Sequence, residues 1–227
     1  MKKIASLLLV FCLASCAADT DGFHGADAVV PAHIPSLTEK VQKLVVAQQE
    51  NYLENLPDEI SSLKADGGIS VYEKNSRGAG FSRAYKNEDG SQVLTVFVYN
   101  GFDFGVSDGV TEQAKTAFDA ALSRFKTYED TGLYKQVKIA DPLTREMKSR
   151  TGKAYEFLRT TVSFVRDGER RVSYVALIPS RKLMSYVRLQ LTYPNSFKAA
   201  KLQNAALRAV INAAEDLPDE EHVAVGF

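Results

Sequence analysis

The 227-residue chain has no tryptophan, only two cysteines and only three histidines. The histidines are His24, His33 and His222, and all three lie near the chain ends, outside the segments with strand or helix periodicity. A Ser-His-Asp or Cys-His catalytic group therefore has nothing to build on, and neither has a histidine metal centre. We predict no metal and no cofactor.

The chain also lacks a net charge, because its 28 basic residues balance 28 acidic residues. This balance gives no whole-molecule attraction to nucleic acid, and we predict no nucleic-acid partner. No apolar run beyond the N-terminal segment approaches the ~20 residues that a membrane helix needs. The sequence thus has neither the charge of a nucleic-acid-binding protein nor the long apolar segment of a membrane-spanning one.

An apolar run at residues 4–13 follows Lys2 and Lys3, and it is too short to span a bilayer. A basic start with a short apolar core is typical of an export signal. The run ends in Leu13-Ala14-Ser15-Cys16, which resembles the bacterial lipobox. That resemblance implies cleavage by signal peptidase II before Cys16 and lipidation of that cysteine. An ordinary signal peptide, cut slightly later, is the alternative.

Removal of residues 1–15 leaves 212 residues, with 26 basic and 28 acidic side chains. Cys12 leaves with the signal, so the folded part has no disulfide and depends on its apolar core. Several acyl chains on Cys16 would make attachment to the membrane stable. The lipobox resemblance also implies a place in the cell envelope. Ala17, rather than aspartate, after the cysteine implies the outer membrane, facing the periplasm, if the host is Gram-negative.

Composition predicts four regions. Residues 1–15 are the signal peptide. Residues 16–35 are the lipidated cysteine and a flexible tether, because they are small, polar and rich in glycine and proline. Residues 36–218 are one globular domain. Residues 219–227 are an acidic, loose tail.

Hydrophobic periodicity predicts three main helices, over residues 36–56, about 110–131 and about 197–217. A further helical turn after Pro57 would carry Ile60 and Leu63. The predicted strands cover residues 69–73, 81–85, 93–99, 134–139, 153–165, 171–178 and 183–193. Tight turns are expected at residues 166–169 and 179–181.

Two strands have informative patterns. Residues 93–99 are almost continuously apolar, which predicts a central strand covered on both faces. In the strand at 183–193, Arg188, Gln190 and Thr192 alternate with apolar residues, which predicts one solvent-exposed face.

Tight hairpins between these strands, rather than helical crossovers, favour an antiparallel sheet packed by helices. The sequence therefore predicts a single-domain α+β fold with a central, largely antiparallel sheet and three main helices. The order of the elements is similar to the PsbP/Mog1-like architecture, which also occurs in some bacterial lipoproteins. This resemblance covers element order alone, and it implies no site residues.

Two surfaces are candidates for partner contact. In the loop at residues 100–109, Phe102 and Phe104 are flanked by glycines. One interpretation is that both rings cover the core beside the next helix, and the other is that they contact a partner.

The second candidate is basic, since residues 145–208 contain 14 basic and four acidic residues. Arg166, Arg170 and Arg171 flank one hairpin turn, and Arg181 with Lys182 occupies the next. The two clusters should lie at opposite ends of the sheet, so a single patch needs one cluster together with helix residues Lys198, Lys201 and Arg208. Pairing with the acidic half of the chain is one interpretation. The alternative is a basic face for an anionic envelope component or an acidic envelope protein.

The sequence contains no catalytic constellation. We therefore predict a lipid-anchored, non-catalytic binding or assembly module of the cell envelope. A carboxylate-based envelope hydrolase and a purely structural envelope component are the alternatives.

The lipobox predicts the outcome of one substitution. Cys16→Ala should abolish lipidation and release the protein from membranes, or leave it as an uncleaved precursor, because the acylated thiol is the anchor. Metabolic labelling with a fatty acid checks this. Equal label in the wild type and the variant would contradict the prediction.

Overall fold

The computed structural model describes residues 37–101 and 103–217. The helices are α1 (Leu37–Glu54), α2 (Glu112–Asp130) and α3 (Ala200–Asp216). The strands, in chain order, are β1 (Glu59–Ile60), β2 (Leu63–Ala65), β3 (Ser70–Val71), β4 (Phe81–Lys86), β5 (Val93–Tyr99), β6 (Lys135–Ile139), β7 (Leu143–Lys148), β8 (Ala154–Arg166), β9 (Glu169–Ser180) and β10 (Ser185–Pro194).

All ten strands belong to one sheet, and every pairing in it is antiparallel. Eight strands follow the order β1-β2-β4-β5-β10-β9-β8-β6, with β3 paired to β4 and β7 paired to β8. Strands joined by a short turn are neighbours in the sheet, as short connections require: β1 with β2, β4 with β5, β8 with β9, and β9 with β10. The predicted α+β fold with three helices is confirmed.

The helices cover the sheet from both sides. α1 and α3 pack on one face, and α2 packs on the other, over β6, β8 and β9. In β9 the side chains alternate between the two layers: Ala176 faces α1 and α3, while Val175 and Leu177 face α2. The sheet is therefore the middle of three layers. None of the described helices is long and apolar enough to cross a membrane.

The predicted helical turn after Pro57 is wrong, because this segment forms the hairpin of β1 and β2. Ile60 and Leu63 are direct cross-strand partners there, and both are buried. Across a two-residue turn, positions i and i+3 lie on the same face, as they also do on a helix. The three-residue spacing alone could not separate the two structures.

The strand β7 was not predicted, and its sequence explains why. Five of its six residues are exposed, so no apolar alternation marks it. It exists because β8 is long enough to pair with it from Ala154 to Arg159 and with β6 further along.

One predicted turn is confirmed and another is displaced. Asp167 and Gly168 both have positive φ, of 52° and 81°, as a two-residue type I′ hairpin requires. The next turn was predicted at residues 179–181 but lies at 181–184, because β9 continues through Pro179. β8 pairs with β9 only as far as Leu177, so Pro179 has a single paired neighbour strand and is tolerated.

The strand β5 is central, but it is not equally covered on both faces. Leu94, Val96 and Val98 are fully buried under α1 and α3. On the α2 side, Phe97 and Tyr99 are only half-buried. The prediction of a strand covered on both faces therefore holds for one face and is wrong for the other.

The start of β4 is fixed by a carboxylate and a glycine. Glu73 accepts hydrogen bonds from the backbone N–H groups of Gly78 (3.0 Å) and Gly80 (3.1 Å), and from Nε2 of Gln42 on α1 (2.7 Å). Gly80 has φ +68°, and a Cβ there would lie 1.8 Å from the carbonyl oxygen of Val98. The chain passes so close to β5 that only glycine fits.

We predict that Gly80→Ala destabilises the protein far more than Gly90→Ala. Both glycines have nearly the same φ, +68° and +67°, but a Cβ at Gly90 would meet nothing within 4 Å. Gly90→Ala should cost only the left-handed backbone strain, about 1–2 kcal/mol. Gly80→Ala adds a backbone clash, so the loss should exceed about 4 kcal/mol.

Urea unfolding of the two variants, followed by circular dichroism, measures this difference. Equal losses would show that β4 can move away from β5 without cost.

Candidate functional site

The part of the sheet that α2 leaves uncovered carries a group of aromatic side chains around one arginine. In the sheet register, Phe97 of β5 pairs with Arg188 of β10, and Tyr99 pairs with Tyr186. Directly paired residues point to the same face, so these four side chains share the α2 side of the sheet. Tyr72, just after β3, stacks beside Phe97 with ring centroids 6.5 Å apart. We call Tyr72, Phe97, Tyr99 and Arg188 the aromatic face.

The guanidinium of Arg188 is buried, although the alternation in β10 predicted a solvent-exposed position. Arg188 is 4% exposed, and its Cζ lies 3.9 Å from the centre of the Phe97 ring and 5.8 Å from that of Tyr99. The prediction of a wet face is wrong at this residue, because the arginine lies flat over its cross-strand neighbour. Gln190 and Thr192, further along β10, are half-buried.

Arg188 has no acidic partner among the residues that the structure describes. Its Nε atom is fully enclosed and has no hydrogen-bond acceptor in that part of the chain. Burial lowers the pKa of Arg188; nearby Tyr99 opposes the shift, and the positive charge of Arg124 on α2 adds to it. Arginine nevertheless stays protonated in proteins. The guanidinium of Arg188 therefore lies over aromatic rings, and the positive charge of Arg124 also acts on it.

Tyr72 is the outer member of the aromatic face. Its side chain is 39% exposed, and its hydroxyl lies 3.1 Å from Oγ of Ser82 on β4. The backbone N–H of Tyr72 donates to the carbonyl of Gly80, so the Glu73 and Gly80 contacts also fix this ring. The aromatic face is thus rigidly held, with Tyr72 reaching solvent.

The helix α2 forms the wall of the aromatic face. Thr111 caps its first turn by accepting from the backbone N–H of Ala114 at 3.1 Å. In its last turns, Tyr128 is 37% exposed and packs edge-on against Tyr134. Tyr99 packs against the buried cluster that α2 shares with β8 and β9, so α2 borders the aromatic face. Arg124 and Tyr128, in the second half of α2, act on the charge of Arg188. The uncovered surface ends at this wall.

The predicted basic hairpin, residues 166–171, lies at one end of the sheet. Arg166 pairs with Asp167 at 3.3 Å and Arg171 with Glu169 at 2.6 Å, so the turn's own acids neutralise two of its three arginines. Arg170 forms no ion pair with any described residue. The backbone N–H of Asn195 donates to its carbonyl (3.1 Å), which brings the segment before α3 alongside. A shallow cleft of about 600 Å³ lies here. It is lined by acidic residues, among them Asp89, and by basic residues, among them Arg170.

The second basic cluster, Arg181 and Lys182, lies at the other end of β9, as predicted. Acids of the N-terminal half and the last helix surround it. Asp108 accepts from the backbone N–H of Arg181 (2.9 Å) and pairs with Lys153 (3.4 Å), and Arg150 pairs with Asp216. Lys182 donates to the carbonyl of Glu215 at 3.1 Å. At this end, the basic half of the chain pairs with acidic residues within the fold.

Of the other predicted site residues, Cys16 and Phe102 lie outside the described residues. Phe104 is half-buried in the loop before α2. The three histidines also lie outside the described range. Within that range, no three histidine, cysteine, aspartate or glutamate side chains lie close enough together to hold a metal ion. The structure does not bring Phe104 together with the basic hairpin.

Sequence reasoning missed the aromatic face. The signal was present in two places: an apolar β5 with aromatic residues on its second face, and an arginine inside the otherwise apolar β10. What the sequence could not supply is the register that pairs Arg188 with Phe97.

Comparisons with known proteins add little to this geometry. No family model and no curated protein matches the chain. Among solved structures, one similar chain is the Ran-binding protein Mog1p of Saccharomyces cerevisiae. It is 14% identical, and the match covers 67% of this chain and 82% of that chain, with a TM-score of 0.29. This structural resemblance is weak and carries no argument about the site.

The hypothesis of a basic patch can be tested at the Arg170 end, because Arg170 forms no ion pair with any described residue. We expect residues 36–227 to bind anionic vesicles at low ionic strength. We expect binding to weaken at moderate ionic strength, because exposed charges are screened over about 8–10 Å there. Arg170→Ala combined with Lys198→Ala should reduce binding, as measured by vesicle sedimentation.

The matched control is Arg145→Ala with Lys148→Ala on the exposed edge strand β7, which should leave binding unchanged. Equal effects of the two double substitutions would show that the positive charge forms no single patch.

Proposed function

We propose that the protein is a lipid-anchored binding module of the cell envelope, held through Cys16 and facing the periplasm from the outer membrane in a Gram-negative host. The lipobox at residues 13–16 supports the anchor. A non-catalytic role fits a domain whose most distinctive surface is a set of fixed rings rather than a group of acids and bases. The aromatic face is the binding surface in this proposal.

The observation that carries the proposal is the aromatic face, where Phe97 and Tyr99 are half-buried and Tyr72 is 39% exposed among the described residues. Aromatic side chains and arginine are the residues that most often dominate binding energy at interfaces. Here they are held rigidly by the sheet register, so little conformational entropy is lost when a partner binds. A purely structural component would have no need to leave such rings uncovered.

A photo-cross-linking amino acid at position 72 tests this proposal in intact cells. We expect Tyr72→p-benzoylphenylalanine to give one discrete cross-linked product, because Tyr72 is 39% exposed on the aromatic face. The matched control is the same amino acid at Leu143, which is 43% exposed on β7, away from the aromatic face.

In a Cys16→Ala background the product should be lost, because the protein would no longer be held at its envelope location. Products at Leu143 that match those at Tyr72, or no product at either position, would contradict the proposed binding surface.

A further inference from the structure

We propose that Arg188 and Arg124 form a binding site for an oxyanion, a carboxylate or phosphate group attached to a flat ring, at the border between the aromatic face and α2. This inference rests on the proposed function, since the site lies on the same surface. It goes further by naming the ligand's chemistry.

No described acidic residue forms an ion pair with the guanidinium of Arg188. A buried guanidinium is normally paired with a carboxylate or has its N–H groups hydrogen-bonded, because its transfer out of water is costly. Arg188 is more than nine-tenths buried, and its Nε has no acceptor there. Its contact with Phe97 at 3.9 Å offsets part of the cost but satisfies no N–H group.

The described groups around Arg188 favour an anion. The neighbours that act on its charge are Arg124, with the same sign, and the hydroxyls of Tyr99, Tyr128 and Tyr72. Guanidinium groups bind carboxylate and phosphate through parallel N–H donors, and tyrosine hydroxyls can add further donors. An anion bound to Arg188 would also be attracted by the positive charge of Arg124.

Asp103, which contacts Tyr186 beside the aromatic face, is already engaged. One oxygen of Asp103 accepts from the backbone N–H of Gly105 at 2.8 Å, and the other accepts from the hydroxyl of Tyr186 at 3.4 Å. Burial, with Asp103 as the second cause, raises the pKa of Tyr186 to about 12, so this hydroxyl keeps its proton. Glu73 is likewise occupied by Gln42 and the Gly78 and Gly80 N–H groups.

The flat part of the ligand follows from the rings beside the charge. Tyr72 and Phe97 are stacked with an interplanar angle of 29°, and Tyr72 is exposed at the rim. A planar ring attached to the oxyanion could lie against these side chains while the anion reaches the guanidinium. This placement predicts that ring-bearing anions bind more tightly than the bare anion.

The test follows the Nε–H signal of Arg188 by ¹⁵N nuclear magnetic resonance, using the full chain in detergent solution. The signal is assigned by its loss in Arg188→Lys. Benzoate and phenyl phosphate are titrated in, with inorganic phosphate as the ring-free anion and benzyl alcohol as the neutral ring. We expect benzoate or phenyl phosphate to shift the signal saturably, with a Kd at or below about 1 mM. Inorganic phosphate should bind more weakly, and benzyl alcohol should not shift it.

Two substitutions separate a ligand site from a structural stack. Arg124→Met should weaken binding by roughly fivefold or more, because it removes the second cation. Arg181→Met, which removes a cation in the turn between β9 and β10, should not. Arg188→Met removes the observed signal, so its binding is measured by isothermal titration calorimetry, alongside the wild type. We expect no binding heat from either ring-bearing anion and a melting temperature that stays the same or rises, because replacing a buried charge with an apolar side chain often stabilises the fold.

Three results would overturn the inference: no shift with either ring-bearing anion, an equal shift with benzyl alcohol, or equal weakening by Arg124→Met and Arg181→Met. If the anions fail but cross-linking at Tyr72 succeeds, the binding module stands and its ligand is not an oxyanion. If the anions bind but cross-linking fails, the site is real and the proposed envelope partner is wrong. A response to benzoate alone or to phenyl phosphate alone assigns the carboxylate or the phosphate source.

Discussion

The architecture depends on burying both faces of one wide sheet. Eight consecutive residues of β9, Ser173–Ser180, are buried, which is possible only when helices lie above and below the strand. Three helices meet this need over β8, β9 and β10, but they cannot cover all ten strands. On the α2 side, Phe97 and Tyr99 of β5 are left half-buried. The candidate site therefore lies where helix packing ends, and its side chains are partly exposed to solvent.

The aromatic face shows how such a surface is kept without a conventional core. The aromatic rings contact one another and the guanidinium, and these contacts exclude water between them. The outer ring, Tyr72, remains exposed to solvent. The Glu73 carboxylate, bound by Gln42 and two glycine N–H groups, anchors Tyr72 at the outer edge. The stability of this region and the proposed binding surface thus depend on the same contacts. The charge of Arg188 is the exception, since it contributes little to a folded state that leaves its Nε without an acceptor.

Much of the fold could be predicted from the sequence because the core strands and helices carry strong periodic patterns. The α2 helix and the Asp167-Gly168 turn follow directly from apolar spacing and from residues that accept positive φ. The hairpin of β1 and β2 was missed because the three-residue spacing of Ile60 and Leu63 fits both a helix and a two-residue hairpin. The strand β7 was missed because an exposed edge needs no apolar alternation. The burial of Arg188 depends on pairing with Phe97, and pairing between strands 91 positions apart in the chain is a property of the whole sheet.

The outer edge of the sheet beside β8 has a consequence for a protein that would be concentrated on a membrane surface. Open strand edges can template the addition of another chain, and the risk rises with local concentration. Here the edge is divided between two short strands. β6 is interrupted by a bulge at Gln136, where φ is 55°, and Glu129 of α2 accepts from the N–H of Val137 next to it at 2.9 Å. β7 presents charged side chains, among them Arg145 and Lys148. Neither half offers a long, flat, apolar row to a neighbouring molecule, so this edge resists pairing with the sheet of a second copy.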